Sequence, residues 1–358
     1  MLKTTPLTNW HQDHAGNMVD FGGFWMPLHY ANGILHEHHA VREKVGLFDV
    51  SHMGEFMLEG KDALSNLQYL VSNDFSDLQI GKARYGILVR EDGSSVDDLL
   101  VYRTHDEVYL IVVNAANIEK DETYFKAHLK GDVAFSNISD TLGQIAIQGP
   151  LADALLKRFV DFELSYYGFQ ADVMISDKAV LVSRTGYTGE DGYEIYCKAA
   201  DTEALWDLFM TAGEDLGVEA CGLGCRDTLR LEAAMPLFGH ELTDETTPLE
   251  AGLSMFVKLD KEHFIAKDAL SNKPLRRRIG LMLSDRGIAR EGSDVYCEDE
   301  WIGKITSGTK SPTLNQAIAM AMIKADYFKS ENFEIDVRGK RLKAVRVKLP
   351  FYKRQGAK

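Results

Sequence analysis

Twelve residues, Ser183 to Glu194, read S-R-T-G-Y-T-G-E-D-G-Y-E and bring three glycines, three acids and two tyrosines together. Glycine allows positive φ or a close approach of backbone to a ligand, which other residues do at a cost. A loop built to cradle phosphate would leave backbone N–H groups free and add a lysine. This run adds Glu190, Asp191 and Glu194 instead. Carboxylates accept hydrogen bonds, so the matching ligand face is a donor: an amide, an amino group or a protonated ring. The plainer reading is a strand–turn–strand with a solvated acidic tip.

Two further constellations carry chemistry. Asp97 and Asp98 open the apolar run V-D-D-L-L-V. Successive side chains of a strand point to opposite faces, so the two acids cannot form a dyad; one faces in and one out. An inward carboxylate beside Leu99, Val101 and Tyr102 needs a base, a donor or a ligand, which makes it a site candidate. Otherwise both acids sit in the turn and stay solvated. Arg226 in G-C-R-D can hold a carboxylate bidentately, or it forms a structural ion pair at a helix start. His36, His38 and His39 in L-H-E-H-H-A have a metal-like look. The flanking Ile34, Leu35, Val41 and Val45 fit one side of an amphipathic helix, and adjacent histidines cannot share a face, so solvated helix surface is expected. G-x-S-x-G, H-E-x-x-H, a Walker loop and a Rossmann G-x-G-x-x-G are all missing, so bound NAD or FAD has no support.

A chain of 358 residues is too long for one small core, and two or three domains are expected. Net charge −14 argues against general affinity for nucleic acid or an acidic membrane. Four scattered cysteines, Cys197, Cys221, Cys225 and Cys297, make no disulfide framework, and C-G-L-G-C lacks a second pair for zinc. Small buried thiols in a reducing compartment are the expectation. The N-terminus has no secretory pattern, and no stretch has the length of a membrane span. The cytoplasm follows, or the mitochondrial matrix if a presequence has been removed.

These groups have to be positioned by mixed elements. Short β-rich runs (G-E-F-M-L-E-G, R-Y-G-I-L-V-R, D-D-L-L-V-Y-R, V-Y-L-I-V-V-N) alternate with the turn chemistry of E-D-G-S-S and T-H-D-E. Helices are expected over 61–71, 114–129, 151–159 and 201–216, with Ile118, Tyr124, Phe125 and Leu129 toward a core. Another enters after Gly224 and ends near Pro236. This alternation fits α+β domains better than a doubly wound sheet. A boundary is expected near Lys273-Pro274, followed by a small β-barrel or sandwich. Residues 331–358 hold nine Lys/Arg against three Asp/Glu. That excess is either a solvated barrel face or a docking patch for an acidic partner or a polyanionic ligand tail.

Taken together the motifs resemble the glycine cleavage T-protein family of aminomethyltransferases. M-V-D-F-G-G-F-W-M-P-L, V-G-L-F-D-V-S-H-M-G-E-F, D-D-L-L-V-Y, V-V-N-A-A-N-I-E-K-D, I-Q-G-P and the 183–194 run match in order. So do R-L-E-A-A-M-P-L-F-G, D-E-T-T-P-L-E-A-G-L, I-T-S-G-T-K-S-P-T-L and P-F-Y-K-R, and the match covers nearly the whole chain. Departures are few. Gly224-Cys225 precedes Arg226 where alanine is common, Ala266 stands where F-x-G-K is usual, and Lys310 replaces a frequent aromatic.

The resemblance implies an α+β fold: a three-domain cloverleaf of two mixed α+β domains and a small C-terminal β-barrel or sandwich, around a folate-lined central opening. The implied domains are 1–52 plus 137–242, 53–136 plus 243–274, and 275–358. It implies transfer of the methylene of an aminomethyl group from the lipoyl arm of the H protein to tetrahydrofolate, a co-substrate. Ammonia leaves, and neither a metal nor NAD or FAD takes part. By matching positions, Asp98 is the acid near the reacting folate nitrogens, Glu194 holds the pterin amide and amino donors, and Arg226 fixes the acids. Met53, Tyr85, Tyr102, Val112, Asn114 and Tyr187 line the pocket. The H protein and tetrahydrofolate are the implied partners, with no nucleic acid and no membrane. A folate-dependent demethylase on the same scaffold and a non-catalytic folate-binding assembly factor are the alternatives. The K-G-C-Y-x-G-Q-E segment of the assembly factors is missing, and so is the flavin domain of sarcosine-type oxidases.

Overall fold

Among the described residues, apolar β-branched runs bounded by turn residues build a two-stranded, a five-stranded and a six-stranded sheet and a closed six-stranded barrel. The computed structural model describes residues 2–354. The chain divides into two compact units, Met1–Leu67 with Phe75–Tyr85 and Leu99–Asp227, and Gln68–Asp74 with Gly86–Asp98 and Thr228–Lys358.

The first unit holds a six-stranded sheet in the order Phe169–Ile175, Lys178–Ser183, Gly192–Lys198, Leu142–Gln148, Val45–Asp49, Val218–Ala220. Only the last pair, Val218–Ala220 on Val45–Leu47, is parallel. The sheet buries Val45, Leu47, Ile145, Ile147 and Ile195 against Leu205, Trp206 and Phe209 of the helix Thr202–Ala212. A five-stranded sheet runs in the order Lys82–Val89, Ser95–His105, Val108–Val113, Gly54–Glu59, Ala134–Asn137, and its residues 86–98 belong to the second unit. The expected turns are present: E-D-G closes on Gly93 at φ 85°, and T-H-D-E on Glu107 at φ 60°. The helices Ala63–Leu70 and Ile118–His128 fall where expected, the second burying Ile118 and Phe125 and leaving Tyr124 and Leu129 half-buried.

The helix Gly33–Glu43 departs from expectation. Its buried residues include Glu37 and His38, while Leu35 is 61% exposed. The cause lies in Glu37, whose carboxylate accepts the backbone N–H groups of Tyr30 (2.6 Å) and Gly222 (2.9 Å). An acid that satisfies two buried N–H groups turns its own helix face inward, so His38 is buried rather than solvated. All four cysteines are buried free thiols, as expected.

In the second unit, six strands from Arg276–Leu283 to Lys340–Val347 close into a barrel. Its core gathers Ile279, Leu281, Ile305, Ala321, Phe333 and Ile335. On the last strand Leu342 and Ala344 point in, and Arg341, Lys343 and Val345 point out, so the basic side chains of this strand cover the barrel exterior. Residues 355–358 of the basic tail lie outside the described residues. The helix Leu223–Glu232 includes Gly224 rather than following it, and stops four residues before Pro236. No helix among the described residues is long and apolar enough to cross a membrane.

Candidate functional site

The 183–194 run is a strand–turn–strand, as its plainer reading held, with Ser183 paired to Glu194. Its tip is not a solvated cluster of acids. Glu190 is buried in an ion pair with Arg42 (2.8 Å), and Arg42 also bonds the Thr188 carbonyl. Asp191 meets Arg184 in a two-point contact of 3.2 and 2.8 Å. Both acids serve the loop itself. The glycines do likewise. A side chain on Gly186 or Gly192 would strike the Gln148 amide, and Gly189 takes φ 81°. Gln148 uses that room to donate to the Thr185 carbonyl (3.1 Å) and to accept from Thr188 Oγ1 (2.8 Å). Of the three acids, Glu194 alone keeps a role beyond bracing the loop.

Glu194 stands on the strand Gly192–Lys198 on the same face as Tyr196. Its carboxylate accepts from Thr185 Oγ1, which lies 3.0 Å from Ser183 Oγ. Ser183 Oγ donates in turn to the Tyr102 hydroxyl (3.3 Å), which lies 3.1 Å from the Tyr196 hydroxyl. Gln144 Nε2 donates to Tyr196 (3.1 Å) from the next strand, where the two residues are directly opposite. Burial raises the Glu194 carboxyl above its ordinary value, and Thr185, the Arg226 charge and Tyr196 oppose the rise. Burial raises both phenols as well, so they stay neutral.

Below this polar line lies an apolar wall between the two sheets. Tyr102, Leu110 and Val112, with Met53, Met57 and Leu100, pack with Phe169, Tyr196 and Leu181. Tyr102 sets its ring edge against Phe169 at 5.3 Å and Tyr196 at 5.7 Å. Ala83 belongs to the same cluster, and Tyr85, two residues on, shares its strand face. Asn114 follows Val112 in extended conformation (φ −70°, ψ 140°), again on the same face. Above Glu194, Arg226 lies under the Tyr187 ring at 4.8 Å, with its Nη1 buried and without a partner. The structure thus brings together Met53, Tyr102, Val112, Tyr187, Glu194 and Arg226, and aligns Tyr85 and Asn114 with them by strand face.

The acids of V-D-D-L divide as strand alternation requires, and neither lies in a turn. Asp97 is fully buried on the face of Leu99 and Val101, and Asp98 is half-buried on the face of Leu100 and Tyr102. The inward acid and the acid beside the wall residues are therefore different ones.

Several residues of the site are not singled out by residue type or spacing, even where they lie in a quoted motif. His52 is buried with Nδ1 unpartnered, and burial together with the Arg226 charge pulls its pKa down to about 4, so the ring is neutral. Glu55, Gln144 and Thr185 join it. Their only sequence signal is a polar residue at an inward strand position or beside one, where apolar alternation predicts a hydrophobe. Among the described residues no group of three or more His, Cys, Asp and Glu side chains could hold a metal ion. The arrangement combines a buried acceptor carboxylate, a nearby arginine and an apolar cluster, and a carboxylate acceptor matches a ligand edged with N–H donors.

Comparison with known proteins finds matches over nearly the whole chain. Residues 7–261 match the model of the GCVT N-terminal domain, and 276–353 that of the glycine cleavage T-protein C-terminal barrel domain. The aminomethyltransferase of Geobacillus sp. (strain WCH70) is 47% identical, covering 99% of this chain and 100% of its own. That of Bacillus licheniformis is 46% identical over the same shares. The crystal structure of glycine cleavage system aminomethyltransferase T from Bartonella henselae superposes with a TM-score of 0.91 at 32% identity, covering 99% of each chain. The chain belongs to the glycine cleavage T-protein family and is an aminomethyltransferase of the glycine cleavage system.

Proposed function

We propose that the donor-edged ligand is tetrahydrofolate, and that the methylene it receives comes from an aminomethyl group on the lipoyl arm of the H protein. Ammonia leaves and 5,10-methylenetetrahydrofolate forms. The observation that carries this reading is the buried Glu194 carboxylate, held by Thr185 and opposite Arg226, beside the wall of Met53, Tyr102 and Val112. A reduced pterin has apolar faces and an edge of amide and amino N–H groups. Glu194 accepts from that edge, and the Arg226 charge opposes the burial that raises its carboxyl. Met53, Tyr102 and Val112 cover the ring faces, and Tyr85, Asn114 and Tyr187 complete the lining. Asp98, on the face of Leu100 and Tyr102, orients the ring nitrogens that take the methylene. It acts by position and charge first and as a proton acceptor second. Proton transfer accounts for about 10²–10⁴-fold of the rate, and alignment of two large carriers for more. The chain works as three domains, 1–52 plus 137–242, 53–136 plus 243–274 and 275–358, in the cytoplasm.

The test is methylenetetrahydrofolate formation from aminomethylated H protein and tetrahydrofolate, with wild type beside Asp98→Ala and Asp98→Asn. Turnover by wild type and its loss in Asp98→Ala are expected, with Asp98→Asn losing rate at nearly normal folate affinity. A large loss of affinity in Asp98→Asn would make Asp98 a binding anchor instead. Turnover without H protein would point to folate-dependent demethylation, and folate binding without any turnover to an assembly factor.

A further inference from the structure

Glu55 is the least expected residue in the first unit. It lies on Gly54–Glu59 opposite Val112, on the strand face of Met57, and is 1% exposed. Its backbone is fixed, with the N–H on Ser139 Oγ (2.9 Å) and the carbonyl on the Ile138 N–H (2.9 Å). The side chain is not: Oε2 is buried with no hydrogen-bond partner. A second orphan is Oε1 of Gln144, the residue that donates through Nε2 to the Tyr196 hydroxyl. Glu55 and Glu194 both act electrostatically on that hydroxyl. Two buried carboxyls thus act on one phenol, and their surroundings differ. Glu194 has Thr185, Arg226 and Tyr196 to stabilise its charge, whereas burial alone acts on Glu55 and pushes it well above the usual carboxyl range.

We propose that Glu55 is a positioning residue of the folate site, orienting Gln144, through it Tyr196, and so the Glu194 carboxylate. This rests on the reading of Glu194 as the folate acceptor. Two acids near one phenol cannot both ionise cheaply, and the one without donors keeps its proton. A neutral carboxyl has one O–H to give, and Gln144 Oε1 is an acceptor in need of one. One internal water between them meets both needs, since a buried water requires at least two polar partners. The chain then runs Glu55–water–Gln144–Tyr196–Glu194, with Tyr102 as a branch. Holding the Gln144 amide in one orientation leaves the Tyr196 proton directed at Glu194. A neutral Glu55 also spares Glu194 a second buried negative charge.

Four variants test this, with Glu55→Leu removing the donor, Glu55→Gln keeping a neutral polar group, Gln144→Leu removing the acceptor, and Glu55→Leu/Gln144→Leu combining the two breaks in one chain. In Glu55→Leu the KM for tetrahydrofolate should rise up to about tenfold, the effect of one lost hydrogen bond, while the melting temperature holds or rises, because a poorly satisfied buried acid is replaced by a hydrophobe. Glu55→Gln should recover most of that KM. The double variant should be no worse than the worse single one. Infrared difference spectra of wild type minus Glu55→Gln should show the carbonyl stretch of a neutral carboxylic acid at neutral pH. A carboxylate signal there, a Glu55→Leu KM equal to wild type, or additive losses in the double variant would each overturn the proposal. The infrared result holds whether or not Glu55→Leu folds. Wild-type turnover itself decides the folate reading separately.

Discussion

Arg226 and Arg230 stand four residues apart on the helix Leu223–Glu232 and live in opposite circumstances. Arg230 is enclosed and answered. Its Nη1 meets Glu241 at 2.8 Å, and its Nη2 donates to Ser307 at 2.8 Å. Glu241 also accepts from Thr306 (2.6 Å) and the Leu237 N–H (3.1 Å). Burial alone would raise the Glu241 carboxyl, but Arg230, Thr306 and Ser307 outweigh it and hold the value below the ordinary range. Arg226 has an aromatic lid and a nearby carboxylate, yet its Nη1 is buried without a partner, and Glu194 sits above its ordinary value. The same residue on the same helix has its donors answered at 230 and one donor buried without a partner at 226.

The strongest way to break this contrast is to truncate both arginines. Arg230→Met leaves Glu241 buried without its cation, and the loss of stability should be about 3–5 kcal/mol, read as a fall in the urea midpoint. Arg226→Met should change the midpoint little and collapse turnover. Equal stability losses in the two variants would erase the distinction.

The next test is chemical. Glu194→Gln cannot offer the folate edge a charged acceptor, and the affinity should fall by about 1.5–3 kcal/mol, or roughly 10–150-fold. Titration of stability sharpens it. The folded Glu194 value lies above the unfolded one near 4.5, so stability present below pH 4.5 is lost as pH rises through the folded value. Glu241 runs the other way, since its lowered value gives stability above pH 4.5 that is lost as pH falls through the folded value. Relative to wild type, Glu194→Gln should therefore gain stability with rising pH, and Glu241→Gln should lose it. Parallel pH profiles would contradict the assignment of opposite shifts.

Much of this was legible in the residues. Turn chemistry at E-D-G and T-H-D-E marks the strand ends, because positive φ and local side-chain bonds are properties of single residues. Strand alternation separates Asp97 from Asp98. What stays hidden depends on partners distant in sequence. Glu190 and Asp191 look like ligand acids until Arg42 and Arg184 are found beside them. The helix Gly33–Glu43 looks apolar-faced until Glu37 bonds Gly222, 185 residues away. His52 and Glu55 carry no spacing signal, and their character comes from burial alone.

The smallest effect isolates the lid on Arg226. Tyr187 holds its ring 4.8 Å from the guanidinium, a contact worth about 0.5–1 kcal/mol when exposed and about 2 when desolvated. Tyr187→Phe keeps the ring face, and Tyr187→Leu removes the attraction. If the lid only shields Arg226 from water, both variants should keep their folate KM, because Leu fills much of the same space. If the ring also fixes the guanidinium that stabilises Glu194, Tyr187→Leu should raise the KM about two- to fivefold, an effect of about 0.5–1 kcal/mol, while Tyr187→Phe stays near wild type. The second outcome is expected, because a guanidinium with an unfilled donor has no other group to hold its plane. Arg230, locked on three sides by Glu241, Ser307 and the Met235 carbonyl, needs no such lid.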